Sequence, residues 1–353
     1  MNERPSQKDR QLPIGKGKDF IHEREKLSLP AVEVKTSVHW TNPAFEGHLP
    51  FILEKLGMFF DLSKNTENKA KVIITPEMFT GRSGMVGGVI FRDQEGHLYR
   101  DVDRKGMGLY KKTEPRYMGG YETALIGQAA SLPPDEVSGL LDLPDAEYDR
   151  DRAEEFLSVG IRTTRTLAIL LLQEVVGQEG EAISIYRARQ QGIVPSNFIP
   201  VIEIRAFGTR ERISSIAKVF GSDQMDTRGQ AALEDAKYLV AQELGKDPDI
   251  FPMQEYLSWF ARTLGEQVAT MHRLKKVHLF LHDQNITLDS RIVDLDSIRT
   301  TGDEDEYKAD VYAASYSLST LCRYALNQPP RETIEEYGRM FNEAYQTELQ
   351  KQA

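Results

Sequence analysis

The chain reads as an α+β protein of two lobes, a strand-rich lobe followed by a helical one. Three observations predict this. At 353 residues it exceeds what one core usually supports, since single cores stop growing near about 250–300 residues. From about Val34 to Arg189 the apolar residues come mostly in short, strand-length runs with two helix-like stretches among them. In the second half they recur every three to four positions, most regularly over Pro252–Lys275, where Met253, Tyr256, Phe260, Leu264, Val268 and Met271 define one helical face. We place the boundaries at 1–32 for a polar flexible tail, 33–200 for the strand-rich lobe and 201–353 for the helical lobe.

The elements follow in order. Met1–Glu25 mixes acids and bases without an apolar centre, so it reads neither as a signal peptide nor as a transit peptide. Pro50–Phe60 carries Phe51, Leu53, Leu56 and Phe59 at helical spacing, and Lys71–Ile74 reads as a brief strand. Thr80–Gly88 holds four glycines in nine residues. A glycine-rich turn there would let backbone N–H groups approach phosphates, which makes Arg82, Gly84, Gly87 and Gly88 candidates; a flexible loop is the commoner use of such a composition. Val89–Arg100 reads as a hairpin around Gln94-Glu-Gly96. Lys105 then stands beside small residues in Asp103-Arg-Lys-Gly-Met-Gly108, placed to meet a phosphate. Asp145–Val159 is a charged helix with Ala153, Phe156 and Leu157 as its apolar side. Glu147, Asp151 and Glu154 share another face, from which one carboxylate would pair with Lys105; a solvated acidic face is the plainer reading. Thr166–Leu172 and Ala182–Tyr186 read as strands, and Ala231–Leu244 and Lys308–Cys322 as helices. Asp310 sits near the start of the last, where a carboxylate favours exposed N–H groups or braces a neighbouring loop.

Composition narrows the function. A net charge of −10 argues against nucleic acid as a general partner, because phosphate backbones call for a surplus of Lys and Arg. The single cysteine, Cys322, excludes an internal disulfide framework and suits a reducing, cytoplasmic setting. No run approaches the roughly 20 apolar residues of a membrane span.

The densest chemical signal is His278–Asp296, His-Leu-Phe-Leu-His-Asp-Gln-Asn-Ile-Thr-Leu-Asp-Ser-Arg-Ile-Val-Asp-Leu-Asp. It sets the amide of Asn285 nine residues before Asp294, itself flanked by Ile292, Val293 and Leu295. Mg²⁺ takes oxygen ligands and usually one or two from protein, with phosphates and water completing the shell. One carbonyl from a loop and one carboxylate from the next strand meet that need, and protein kinases hold their ions in this way. In the kinase pattern the residue two after His278 is the Asp that accepts the substrate proton; here it is Phe280, whose ring cannot. A zinc pair of His278 and His282 is the weaker alternative, since four-residue spacing converges on a helix and no cysteine joins in.

These pieces together resemble the selenoprotein O family of protein-kinase-like AMP transferases. Gly160-Ile-Arg-Thr-Thr-Arg-Thr-Leu167 is similar to its Gly-Ile-Pro-Thr-Thr-Arg-Ala-Leu, and Lys105-Gly-Met-Gly108 to its Lys-Gly-Ala-Gly. Arg205-Ala-Phe-Gly-Thr-Arg-Glu211 resembles Arg-Phe-Gly-Thr-Phe-Glu with one residue inserted. His278–Asn285 aligns with His-Gly-Val-Met-Asn-Thr-Asp-Asn, and that family also lacks the ordinary base at the Phe280 position. The resemblance covers about residues 80–320 and implies a protein-kinase-like bilobal fold. It further implies ATP as AMP donor, Mg²⁺ (with Mn²⁺ as the alternative ion), and Ser, Thr or Tyr hydroxyls of proteins as acceptors. By it, Asn285 and Asp294 hold the metal, Lys105 meets the triphosphate and pairs with a helix carboxylate such as Glu154, and Arg187 and Arg205 contact phosphates. Several departures stand against full equivalence. Gln284 replaces the family's Asp before the metal Asn, which leaves Asp283 as the nearest base. Arg82, beside Gly84, Gly87 and Gly88, stands in for an Arg in a Gly-Asp-Gly-Arg block, and Met118-Gly-Gly120 lacks an expected Asp. Gln190–Pro200 is an extra stretch, and the chain reads as a divergent, C-terminally short relative. Two other readings follow from the same residues: a nucleotide-binding pseudokinase, and an aminoglycoside-phosphotransferase-like kinase using Asp283 or Asp296 as base.

Overall fold

The computed structural model describes residues 28–45, 49, 51–61, 70–74, 80–93, 96–112, 121–124, 139–177, 179–216, 225 and 227–351. Among them the strands are β1 Ser28–Glu33, β2 Thr36–Thr41, β3 Met58–Phe60, β4 Ala70–Ile73, β5 Thr80–Arg92, β6 Leu98–Lys112, β7 Tyr121–Ala124, β8 Leu141–Asp142, β9 Arg165–Leu172, β10 Glu174–Val176, β11 Ala182–Ser184, β12 Pro200–Phe207, β13 Lys276–Val277 and β14 Arg299–Thr300. The helices are α1 Leu143–Ser158, α2 Ile185–Gln190, α3 Ile213–Ile216, α4 Thr227–Glu243, α5 Met253–Arg273, α6 Glu304–Ala325 and α7 Arg331–Leu349. Two compact units result. The first takes described residues up to position 95 with Tyr99–Arg150 and Arg165–Phe207; the second takes Gly96–Leu98, Asp151–Thr164 and the rest from Gly208. The class is α+β, strands first and helices second, as the sequence predicts.

The first unit is built on a sheet ordered β2-β9-β12-β6-β5, with β7 on β6 and β8 on β12. β9 and β12 are central because their side chains are buried on both faces, from Leu167 and Leu170 to Ile202 and Ile204. β12 is also why the dividing line falls after Phe207 rather than at 200: its backbone pairs with β6 and β9, so the strand belongs to the sheet. Residues 28–32 likewise leave the expected tail, because β1 pairs with both β3 and β4 and buries Leu29 and Ala31.

Two local expectations are corrected here. Of the expected helix Pro50–Phe60, the described residues 51–60 form a 3-10 turn at Leu53–Leu56 followed by β3. Gly57 interrupts the run where the chain passes the Val34 carbonyl too closely for any Cβ, and a helix this short is marginal alone. The glycine-rich segment is strand, not turn: Arg82, Gly84, Gly87 and Gly88 all lie within β5. A Cβ at Gly84 would run into Val72 of β4 and the Met107 sulfur, so this glycine serves packing within the sheet. The β5–β6 pairing does confirm the expected hairpin, whose tip at 94–95, like Met118-Gly-Gly120 and Met1–Leu27, lies outside the described residues.

The second unit is helical. α5 buries Tyr256, Phe260, Leu264, Val268 and Met271, the periodic face read from the sequence. α7 lies against it so closely that a Cβ at Gly265 would meet the Phe341 carbonyl. Among the described residues no helix is long and apolar enough to cross a membrane.

Candidate active site

In the second unit the chain leaves α5, forms β13 and enters the His278–Asn285 loop. Of the six non-glycine residues with positive φ among those described, Lys275, Leu279, Ser290 and Asp294 lie in this one segment. Such backbone costs about 1–3 kcal/mol per residue and persists only where the surroundings enforce it. Three sets of contacts enforce it here.

Asp310 of α6 holds the beginning of the loop. Its carboxylate, wholly buried, accepts from the His278 N–H and the Leu279 N–H, both at 2.7 Å. His278 is buried too, which lowers its pKa and favours the neutral ring; Nε2 is 2.8 Å from the Val293 carbonyl and Nδ1 3.1 Å from the Ser297 hydroxyl. Both nitrogens are thus committed to the backbone framework of the site, which disposes of a zinc role for His278. The other edges of the loop lie against 211–214, through Leu288 N to Glu211 O at 2.8 Å, Ile213 N to Ile286 O at 3.0 Å and Ser214 N to Asp283 O at 3.0 Å. Removing the Asp310 carboxylate strands two buried N–H groups at about 1–3 kcal/mol each. Asp310→Ala is therefore expected to lower stability by about 2–6 kcal/mol. The loop amides at 278 and 279 should also lose protection in hydrogen exchange, and unaltered protection there would contradict this assignment.

Asn285 and Asp294 lie on the two arms of one short turn. Ile286 bridges Ile292, and the Val293 N–H donates to the Asn285 carbonyl at 3.0 Å, so the two candidate ligands occupy neighbouring ladder positions. The Asn285 side chain donates Nδ2 to the Phe280 carbonyl at 3.0 Å. That bond orients the carboxamide and leaves Oδ1 as the oxygen for a cation. Asp294 has φ 69° and ψ 53°, a left-handed conformation that Asp tolerates better than most residues. An amide oxygen and a carboxylate on one rigid hairpin fit a hard divalent ion with phosphate and water completing its shell. Among the described residues no group of three or more His, Cys, Asp or Glu side chains could hold a metal ion.

The Thr-Thr-Arg block braces the strand that carries Asp294. Thr163 bridges Ile292 in parallel register, its hydroxyl donates to the Ile292 carbonyl at 2.6 Å, and Ile292 N donates to Arg162 O at 2.9 Å. Gln267 of α5 accepts from the Arg162 N–H at 2.6 Å and donates to Ser290 O at 2.8 Å. The Arg162 guanidinium binds Glu243; burial alone would raise that carboxyl, but the arginine holds it down at about 2. Arg291, fully buried, binds Asp289 and donates to the carbonyls of Thr163 and Leu98. A Cβ on Gly208 would collide with this pair, which explains the glycine in the Arg205–Glu211 block.

Around the loop's exit the candidates differ in fate. Phe280 is 53% exposed, so the ring at the lost-base position is not a core residue. Asp283 is half-buried, and burial raises its carboxyl above the usual range, the direction a base near neutral pH requires.

In the first unit the lysine site is assembled by β6, β12 and α1. Lys105, 9% exposed, binds Asp149 at 2.5 Å. The helix partner is thus Asp149, not Glu154. By sequence the partner is expected on the acidic face of α1, whereas Asp149 lies between Ala146 and Ala153 on the buried side. A carboxylate interrupting an apolar stripe was the available signal. Gly106 allows β6 to pass the Val201 carbonyl, where a Cβ would clash. Arg205 is bound through both nitrogens to Asp103, at 3.0 and 2.8 Å, and Arg82 donates to Leu140 O at 2.9 Å. Arg187 is exposed on the short helix α2, whose first turn is capped by Ser184.

No protein-family model matches the chain, and no curated protein matches it either. Among solved structures it is similar to the kinase domain of a rhoptry antigen specific to Toxoplasma gondii, at 8% identity and a TM-score of 0.36 over 80% of this chain and 77% of that one. A likeness of that size is distant and assigns no family.

Proposed function

We propose that the chain is a nucleotide-dependent transferase of the kinase-like kind that moves AMP from ATP to a protein hydroxyl with Mg²⁺. The observation supporting this reading is the hairpin of Asn285 and Asp294 beside a loop that has Phe280 where a phosphotransferase keeps its base. The resemblance to selenoprotein O proteins supplies the choice of AMP. Asn285 Oδ1 and the Asp294 carboxylate are the groups that would hold the ion, which when bound offsets phosphate charge. Lys105, held by Asp149, orients a phosphate, with Arg205 and Arg187 as further cationic groups. The substrate hydroxyl oxygen bonds to the α-phosphorus as the bond to the pyrophosphate oxygen breaks, and the hydroxyl proton passes to Asp283. Orientation contributes much of such a rate.

Gln284 and Phe280 favour a second reading, a nucleotide-binding module without transfer. Incubating the protein with a mixture of candidate protein acceptors, Mg²⁺ and ATP labelled at either the α- or the γ-phosphate separates these. Protein-bound label from the α position alone is expected. Label from γ alone would mean an ordinary phosphotransferase, and nucleotide binding without label would mean the non-catalytic module.

A further inference from the structure

Glu203 is a buried acid that the proposed reaction does not use. On β12 it stands directly opposite Lys105 of β6, while Arg205 stands opposite Asp103. Side chains two apart on a strand share a face, so two antiparallel pairs build a square of four charges on one side of the sheet. Asp149 reaches that square from α1 through Lys105. Thr166 of β9 reaches it by donating to Glu203 Oε1 at 2.6 Å. Glu203 is 1% exposed, and its other oxygen, Oε2, has no hydrogen-bond partner. Arg205 is clasped by Asp103 and Lys105 by Asp149, so both cations act on Glu203 through space, from neighbouring positions on one face of the sheet.

We propose that Glu203 is a positioning residue for Lys105: a second carboxylate beside the Lys105–Asp149 pair, whose charge sets how freely the ammonium meets a phosphate. This rests on reading Lys105 as a phosphate-binding group. Burial, and next the charge of Asp149, push Glu203 up to about 7, while Arg205 and Lys105 pull the other way. Below that midpoint Glu203 is neutral and Lys105 answers Asp149 alone. Above it a second negative charge stands beside the lysine and opposes a triphosphate. The same group makes the folded state bind the extra proton, so its own contribution to stability is greatest below the ordinary glutamate range and declines as pH rises towards 7.

Two measurements test this. The first is the carboxyl ¹³C titration of glutamates in the ligand-free protein. One resonance should titrate near neutral pH, vanish in Glu203→Gln, move to lower pH in Asp149→Asn and to higher pH in Lys105→Met. A Glu203 carboxyl that titrates in the ordinary range, or is unmoved by Asp149→Asn, overturns the proposal. The second is binding of ATP at saturating Mg²⁺ between pH 6 and 8. Affinity should fall several-fold across that range in the parent and stay flat in the isosteric Glu203→Gln. Equal profiles in the two proteins overturn it. A parent that binds no ATP at any pH removes the phosphate role of Lys105, and the carboxyl titration then decides the Lys105–Glu203 pairing by itself.

Discussion

Asp294→Asn should abolish binding of ATP with Mg²⁺ while leaving the thermal midpoint close to that of the parent. Asn tolerates the left-handed backbone at this position, so the hairpin keeps its shape and only the charge is lost. Outer-sphere partners of metal sites alone cost about 10–100-fold in affinity, so losing a coordinating carboxylate should cost more than about 100-fold. Asp294→Ala should likewise remove any transferred label. Calorimetry at fixed Mg²⁺ is the direct check, and parental affinity in Asp294→Asn would end the metal assignment. Asn285→Ala tests the second ligand: it should weaken metal-dependent binding too, since the oriented carboxamide is the other half of the grip.

The second large effect is on folding. Arg291→Leu leaves the buried Asp289 carboxylate with only the more distant Arg162 guanidinium, at 3.8 Å, and deprives the Thr163 and Leu98 carbonyls of a donor. Breaking a buried pair from one side costs about 3–5 kcal/mol, a large part of what holds most domains folded. A urea midpoint lowered accordingly is expected. The double variant Arg291→Leu with Asp289→Asn should recover part of the loss, because the stranded charge is gone. A single variant within about 0.5 kcal/mol of the parent would show that the pair contributes nothing, as surface substitutions do. The consequence reaches the site, since the same arginine ties the Thr-Thr-Arg block to the strand that carries Asp294.

Where helical period and length agreed, the sequence was a sufficient guide. α5 and α6 form where apolar residues recur every three to four positions, and β9 forms where a continuous apolar run has strand length. Local rules also placed Asn285 and Asp294 on one turn, because nine residues in sequence are enough for the chain to reverse and bridge Ile286 to Ile292. Asp310 braces the neighbouring loop, one of its two expected uses; it does not cap its own helix, which begins at Glu304.

Other features depend on residues far apart in the chain, and no local pattern reveals those. Lys105 takes Asp149 because the buried side of α1 is set by packing on the sheet, not by which face of the helix carries more acid. Glu203 becomes unusual only once β12 lies in register with β6. The glycines of β5 read as a phosphate cradle until β4 closes over Gly84. The Thr-Thr-Arg block, recognisable as a motif, shows its use only in the structure, where it pairs with a strand almost 130 residues later. The sequence by itself therefore determined the class and the principal helices, and it singled out Asn285 and Asp294 as the proposed oxygen ligands. The tertiary structure alone decided which charges face one another in the interior, since burial and strand register are set by the whole packed chain.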